Sequence, residues 1–174
     1  LATITTEHNL VPGWYHPYIG VPVAFNIISD ILATFDADGH MTWSWSLIDH
    51  FDPLEHHTDD LHMAFWTIPP YDHLDHPKDW SHGNAMVPNG GSWLASYRNL
   101  DWLIQVDPDT DKIDFVFGWN GDFELEPGGK WFSRQHAPQV LPSGNILLYD
   151  NGNDRADRMP GDQPYSRAVE YSLN

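Results

Sequence analysis

The stretch HGNAMVPNGGSWLASYRNLDWLIQVD, residues 82–107, holds the clearest fold signal in the chain. A Pro-Asn-Gly-Gly turn at residues 88–91 separates two short runs rich in apolar residues. Short runs of aromatic and aliphatic residues bounded by Gly, Pro and Asn are typical of antiparallel β strands. Ser92–Tyr97 and Leu103–Val106 both fit this description. The stretch therefore predicts consecutive antiparallel strands.

The same pattern extends to both ends of the chain. No run of a dozen residues keeps a helical apolar periodicity without a Pro or Gly break, so the sequence predicts an all-β fold class. Further strands are predicted at Ile31–Phe35, Met41–Trp45, Ile113–Phe117, Ile146–Tyr149 and Ala168–Tyr171.

Residues 136–150, HAPQVLPSGNILLYD, repeat the order of features seen from residue 82. Each copy has a His, a short strand, a Pro-x-Gly turn and a second strand, and a third strand follows. Units of about 50 residues built from short antiparallel strands are typical of β-propeller blades. We expect residues 1–174 to be part of a single β-propeller domain covering about two to three blades. Because closure needs about four to eight blades, the remainder of the propeller or a second chain is expected to complete it.

Two segments depart from the strand pattern, near residues 49–78 and 118–133, and are expected to be loop insertions at one mouth of the propeller channel. The first is rich in His and Asp, which suggests a metal site. Its His residues follow no ligand spacing, so a solvated loop and no metal are the better expectation. Leu1 stands where an initiator Met would, and we expect the chain to derive from a processed or longer gene product.

Composition excludes several classes of function. The chain has 25 acidic and 8 basic residues, a net charge of −17, which repels phosphate backbones and anionic lipids. We therefore expect no nucleic-acid partner. No apolar run reaches the ~18 residues that a membrane span needs. The chain has no Cys, so it has neither disulfides nor thiolate chemistry.

Two His-containing motifs are candidates for chemistry. His82 and Asn84 are two residues apart, and Arg134 and His136 show the same spacing, which places each pair on one face of a strand. The first strand of a propeller blade lines the central channel, so the two His residues are expected to meet in one pocket. The alternative is that they are ordinary hydrogen-bonded strand residues.

The placement of arginines points to an anionic ligand. An acidic protein binds an anion only where cations are concentrated locally, and the planar guanidinium matches a tetrahedral oxyanion. Pairing with the abundant carboxylates is the alternative. All five arginines lie in the second half of the chain, near predicted strand ends: Arg98, Arg134, Arg155, Arg158 and Arg167.

These motifs together resemble the arylsulfate sulfotransferase family, the bacterial type that uses no nucleotide sulfate donor. The resemblance is strongest over residues 79–173 and depends on the order of several short motifs. They are DWSHGN at 79–84, SYR at 96–98, DW at 101–102, GDF at 121–123, WFSRQH at 131–136, DNGN at 150–153 and SRAVEY at 166–171.

The resemblance implies a six-bladed propeller, a periplasmic or extracellular location, and transfer of a sulfuryl group from an aryl sulfate to a phenol without a cofactor. A His forms a covalent intermediate, which divides one difficult transfer into two easier ones. The resemblance implies catalytic roles for His82 and His136. It also implies substrate-binding or supporting roles for Asn84, Arg98, Asn151, Arg155 and Arg167.

One departure from the family pattern concerns the nucleophile. The family's nucleophilic His follows the region that matches His136, and this sequence has no His after that position. The nucleophile is therefore expected outside this chain. The alternative is a non-catalytic extracellular propeller that acts as a binding or structural module, because a fold does not establish a function. Hydrolysis in place of transfer also stays open.

Overall fold

The computed structural model describes residues 2–15, 22–53, 55–56, 68–69, 72–73, 77–153, 155 and 163–173. Within these residues it contains eleven β strands and no α helix, which confirms the all-β prediction. The strands are β1 Ala2–Tyr15, β2 Pro22–Phe35, β3 Met41–Ser46, β4 Pro77–Asp79, β5 Gly83–Asn89, β6 Ser92–Tyr97, β7 Trp102–Asp107, β8 Lys112–Gly118, β9 His136–Val140, β10 Ile146–Asp150 and β11 Arg167–Tyr171. No helix in the described residues is long and apolar enough to cross a membrane.

The strands form three sheets. The first has the order β1-β2-β3, with β4 pairing in parallel with β2 over residues 26–28. The second is a four-stranded antiparallel meander, β5-β6-β7-β8, and the third is the antiparallel set β9-β10-β11. The repeat predicted from the sequence is thus two successive meanders. Strand β5 lies beside both β1 and β9, so the first strands of successive sheets are neighbours.

Glycines allow the tight hairpins inside the two meanders. Gly90 and Gly91 join β5 to β6 with φ values of 60° and 97°, and Gly144 lies between β9 and β10 with φ of 86°. A side chain is strained in this left-handed region, whereas glycine enters it freely. The two turns therefore set where each second strand begins.

The middle sheet is buried on both faces. Ala95 and Ile104 belong to an apolar cluster shared with the first sheet, which includes Trp45 and Trp80. Leu94 and Leu103 project to the opposite face and join a cluster with residues of the third sheet, among them Ile146, Leu148 and Tyr171. Burial of one such side chain contributes about 1.5–3 kcal/mol. One face of β6 and β7 thus packs on the first sheet and the other face packs on the third, so the three sheets are stacked face to face.

The insertions predicted near 49–78 and 118–133 differ in how much the structure describes. Residues 119–135 form the connection between β8 and β9 and contain no strand. Most of 49–78, including His57, His62 and His76 of the His- and Asp-rich segment, lies outside the described residues.

Candidate active site

A buried carboxylate fixes the ring of His82. Strand β4 ends at Asp79, which is 1% exposed, and its Oδ2 lies 2.6 Å from Nδ1 of His82. Because a carboxylate accepts and does not donate, Nδ1 carries the shared hydrogen. The other ring nitrogen, Nε2, is then available to a ligand, and 29% of the His82 side chain is exposed.

Asp30 on β2 fixes the backbone on both sides of His82. Its Oδ2 accepts hydrogen bonds from Ser81 Oγ and from the Gly83 amide, the latter at 2.6 Å. A Cβ at position 83 would lie 2.9 Å from Asp30 Cγ, so this close approach requires glycine. Burial raises the pKa of Asp30 to about 6, against the opposing effect of these two hydrogen bonds. Between these anchors His82 adopts a left-handed φ of 51°, which side chains rarely enter.

Asn99 connects this region to two arginines. It lies in the short 3₁₀ turn Arg98–Leu100 that follows β6, and its Nδ2 donates to the Asp79 carbonyl oxygen at 2.6 Å. Its Oδ1 accepts from Arg98 at 2.8 Å and from Arg134 at 3.1 Å. The Arg98 amide also donates to the His82 carbonyl oxygen at 3.1 Å. The two guanidinium groups are therefore held beside the Asp79–His82 pair.

The segment before β9 brings the second His to the same region. Arg134 has a left-handed φ of 56°, and its amide donates to Asp101 Oδ1 at 2.6 Å. The Gln135 carbonyl oxygen accepts from Asn84 Nδ2 at 2.8 Å. Nδ1 of His136 lies 3.2 Å from the Arg134 carbonyl oxygen, which can only accept, so Nδ1 carries the hydrogen here as well. Both His residues therefore have their Nδ1 atoms bound and Nε2 available.

The two-residue spacing does not place these residues as the sequence predicted. His82 and Arg134 precede β5 and β9 and have left-handed backbones, so strand alternation does not include them. The pairing of β5 with β6 also shifts register between Gly83 and Ala85, at Asn84. Contact between the two motifs comes instead from hydrogen bonds between the loops.

A second polar cluster surrounds Asp150, which is fully buried at the end of β10. Its Oδ2 accepts from Arg155 at 2.8 Å and from Arg167 at 2.8 Å, and its Oδ1 accepts from the Ser133 amide at 2.9 Å. Partial burial acts to lower the pKa of Arg167, but the hydrogen bond that Arg167 donates to Asp150 raises this pKa overall. Residues 133–136 therefore join this cluster to the His pair.

Comparison with known protein families identifies the family of the chain. The family model described as Arylsulfotransferase (ASST) matches residues 18–174. The chain belongs to the arylsulfotransferase family. The family assignment made from the sequence is therefore confirmed, and it indicates an aryl sulfotransferase-type function. No curated protein matches the chain.

The structure groups the predicted site residues of this family member in two sets. His82, Asn84, Arg98 and His136 lie around the contacts of Asn99 and Gln135. Asn151, Arg155 and Arg167 lie at the Asp150 cluster, where the Asn151 carbonyl oxygen accepts from Ser166.

The predicted set omitted three residues that position these groups. Asp79 supports His82, whereas Asn99 and Arg134 join the two motifs. A signal for Asp79 was present, because this residue opens the DWSHGN motif at 79–84. No local pattern marked Asn99, because the partners that join it to the rest of the site, Asp79 and Arg134, are 20 and 35 residues away along the chain.

Metal-binding geometry in the described residues is limited to an exposed turn. Ligand atoms of Asp36, Asp38 and His40 lie within 4.8 Å of one another. Backbone hydrogen bonds from His40 and Asp38 already occupy Asp36 Oδ1, as expected for an ordinary turn. None of these three residues belongs to the predicted site set.

Proposed function

We propose that this arylsulfotransferase forms about two to three blades of a β-propeller and supplies the sulfate-binding side of its active site. Two successive meanders, the face-to-face stacking of three sheets and the contact between their first strands support the propeller. In such a fold the segments that enter the first strands lie at the channel. The segments carrying His82 and His136 enter β5 and β9.

The proposed reaction moves a sulfuryl group from an aryl sulfate to a phenol in two steps. A His nitrogen attacks the sulfur, the N–S bond forms as the S–O(aryl) bond breaks, and the departing phenolate takes up a proton. A phenol oxygen then attacks the sulfohistidine, the N–S bond breaks, and the proton of the phenol passes to a base. We propose that the nucleophilic His comes from outside residues 1–174, as the family pattern indicates.

The observation that carries this proposal is the convergence of two His residues and two arginines around Asn99. The charge of a transferring sulfuryl group is spread over its equatorial oxygens, and preorganised cationic donors stabilise it. We assign that role to Arg98 and Arg134. His82 and His136 present Nε2 as an acceptor, which suits uptake of the proton of the phenol, and the protonated ring can then donate to a sulfate oxygen.

Asn84 has a separate role in this proposal. Its Nδ2 donates to the Gln135 carbonyl oxygen, which fixes the orientation of the amide. Its Oδ1 is buried and has no hydrogen-bond partner among the described residues. A buried acceptor without a partner costs about 1–3 kcal/mol, so a ligand donor is favoured there. We propose that Oδ1 accepts from the hydroxyl of the phenol when the phenol binds, and that this proton passes to the His in the transfer step.

In this proposal the Asp150 cluster holds the site residues in position. Arg155 and Arg167 both bind the same buried carboxylate, which also accepts from the Ser133 amide. They hold Asn151 and the segment before His136 in position and add positive charge near the anion. The acidic surface is compatible with the proposed periplasmic or extracellular location, where charge favours solubility.

The test is an assay with the gene product that contains residues 1–174, using 4-nitrophenyl sulfate with and without a phenol. We expect phenol-dependent release of 4-nitrophenol, reduced at least about 100-fold in His82→Ala and in His136→Ala. The matched control is His40→Ala, because His40 also pairs with an Asp but is 79% exposed. This variant should keep full activity.

Each other outcome selects a different function. Release of 4-nitrophenol that does not depend on phenol indicates a sulfate-ester hydrolase. A folded protein without turnover that still binds the aryl sulfate supports the alternative of a binding or structural module. Full activity in both His variants would exclude the site described above.

A further inference from the structure

A cavity of about 580 Å³ lies between residues 123–131 and the C-terminal part of β11. Its size falls within the ~300–1,000 Å³ typical of small-molecule pockets. Neither His82 nor His136 lines it. The cavity is therefore distinct from the proposed sulfuryl-transfer site, although Arg167 lies between the two.

Aromatic rings make up much of the cavity wall. Phe117, Phe123, Trp131 and Tyr171 all line it. The Phe117 ring contacts Trp131 edge-on at a centroid distance of 5.0 Å, and Trp131 stacks on Tyr171 at 5.8 Å. These contacts hold the rings in fixed positions. The face of an aromatic ring carries negative potential, which attracts a cation most strongly at Trp.

The charged residues of the wall also favour a cation. Glu124, Glu126 and Glu170 line the wall together with the two cations Lys130 and Arg167, and the Glu170 carboxylate accepts from Asn145 Nδ2 at 2.6 Å, which leaves Glu124 and Glu126 to offer their charge. Arg167 directs Nε to Asp150 and one NH₂ group to the carbonyl oxygens of residues 130 and 131. Its charge is thus directed to the backbone and to another carboxylate. The net charge of −17 further raises the local concentration of cations.

We propose that this cavity binds an organic cation, an ammonium group that carries an aryl or alkyl substituent. The rings and apolar side chains such as Leu125 and Val169 contact the substituent, and the carboxylates offset the charge. An aryl sulfate is a poor fit for this cavity, because its negative charge would lie beside Glu124 and Glu126. The ligand of this cavity therefore differs in charge from the substrate proposed for the His82 site.

Three probes of one size and shape but different charge test the proposal by calorimetry. They are phenyltrimethylammonium, its neutral isostere tert-butylbenzene, and the anion benzenesulfonate. We expect phenyltrimethylammonium to bind about tenfold more tightly than tert-butylbenzene, and benzenesulfonate not to compete with it. The advantage of the cation should decrease as salt is added, because salt screens the carboxylates.

Two variants locate the binding. Glu124→Gln combined with Glu126→Gln should weaken phenyltrimethylammonium about three- to tenfold and leave tert-butylbenzene unchanged. Trp131→Leu keeps an apolar wall but removes a π face, and should weaken the cation by a similar factor. Glu55→Gln is the matched control, because Glu55 is exposed and does not line the cavity.

Three results would overturn the proposal. The first is equal affinity for cation and neutral probe, which would make the cavity a general apolar pocket. The second is a loss in Glu55→Gln as large as in the double variant, which would trace the effect to overall charge. The third is no binding of any probe to the folded protein.

Discussion

Replacing Asp79 with Asn tests whether the buried carboxylate sets the working state of His82. Asp79 is 1% exposed and its Oδ2 lies 2.6 Å from His82 Nδ1. Because Asn has nearly the same shape as Asp, the substitution preserves the shape of the site and changes only the hydrogen-bonding groups. An Asn amide can donate to Nδ1, which would move the imidazole hydrogen to Nε2. The lone pair on Nε2 that we assign to proton exchange with the phenol would then be lost.

The size of the effect follows from the type of hydrogen bond that is removed. A bond to a charged acceptor is worth about 1.5–3 kcal/mol. Since 1.36 kcal/mol corresponds to tenfold in rate, kcat/KM should fall by about 10- to 160-fold. Loss of the Asp79 charge also removes a repulsion that helps to raise the pKa of Asp30, so the pKa of Asp30 should fall in the same variant.

The assay is transfer from 4-nitrophenyl sulfate to phenol over a range of pH, with Asp36→Asn as the matched control. Asp36 also lies beside a His, with Oδ2 3.3 Å from His40 Nδ1, but both side chains are exposed. The control should therefore keep its activity. A rate for Asp79→Asn within twofold of the unmodified protein, with the fold intact, would refute the positioning role of Asp79.

Two further predictions concern stability measured by urea denaturation. In Asp30, the folded-state pKa of about 6 is above the ordinary value of 3.8, so between these pH values the folded form holds a proton that the unfolded form has lost. Relative to Asp30→Asn, the free energy of unfolding of the unmodified protein should fall by up to about 3 kcal/mol as the pH rises from about 4 to 6, and should change little above pH 6. A difference between the two proteins that stays constant over this pH range would contradict the prediction. Asp150→Asn should lower the free energy of unfolding by about 3–5 kcal/mol, because Arg155 and Arg167 lose a fully buried carboxylate. The control, Asp38→Asn at an exposed residue, should change it by less than about 0.5 kcal/mol. Equal losses in these two variants would show that the Asp150 pairs add nothing to stability.

The strands could be predicted from the sequence because their signals are local. Turn residues such as those at 36–39, 88–91 and 142–145 bound each hairpin, and the apolar runs between them became β2, β3, β6, β10 and their neighbours. The long hairpin of β1 and β2 was not predicted beyond Ile31–Phe35, because residues 2–15 lack clear alternation and bounding turns. Its pairing depends on partners in the sheet and not on a pattern within the segment.

The site could be predicted only in part, because spacing along the chain says little about contacts between loops. The sequence identified both His residues and the arginines, whose chemistry is distinctive. It did not show that His82 and Arg134 have left-handed backbones, since that conformation is uncommon for any residue other than glycine, including His, in which it is enriched. The partner of each is set by tertiary contacts, as with Asn99, which joins segments 35 residues apart.

The backbone itself distinguishes the site from the rest of the chain. Six non-glycine residues in the described ranges have a positive φ, and four of them lie at the site: His82, Asp101, Arg134 and Ala137. Each such conformation costs about 1–3 kcal/mol and persists only where neighbouring contacts impose it. Asp79 and Asp30 impose it around His82, and Asp101 imposes it on Arg134. Packing alone does not explain strain that these carboxylates impose, because an extended backbone would lead into each strand at lower cost. It is explained if the geometry of the two His residues and the arginines is what the fold preserves.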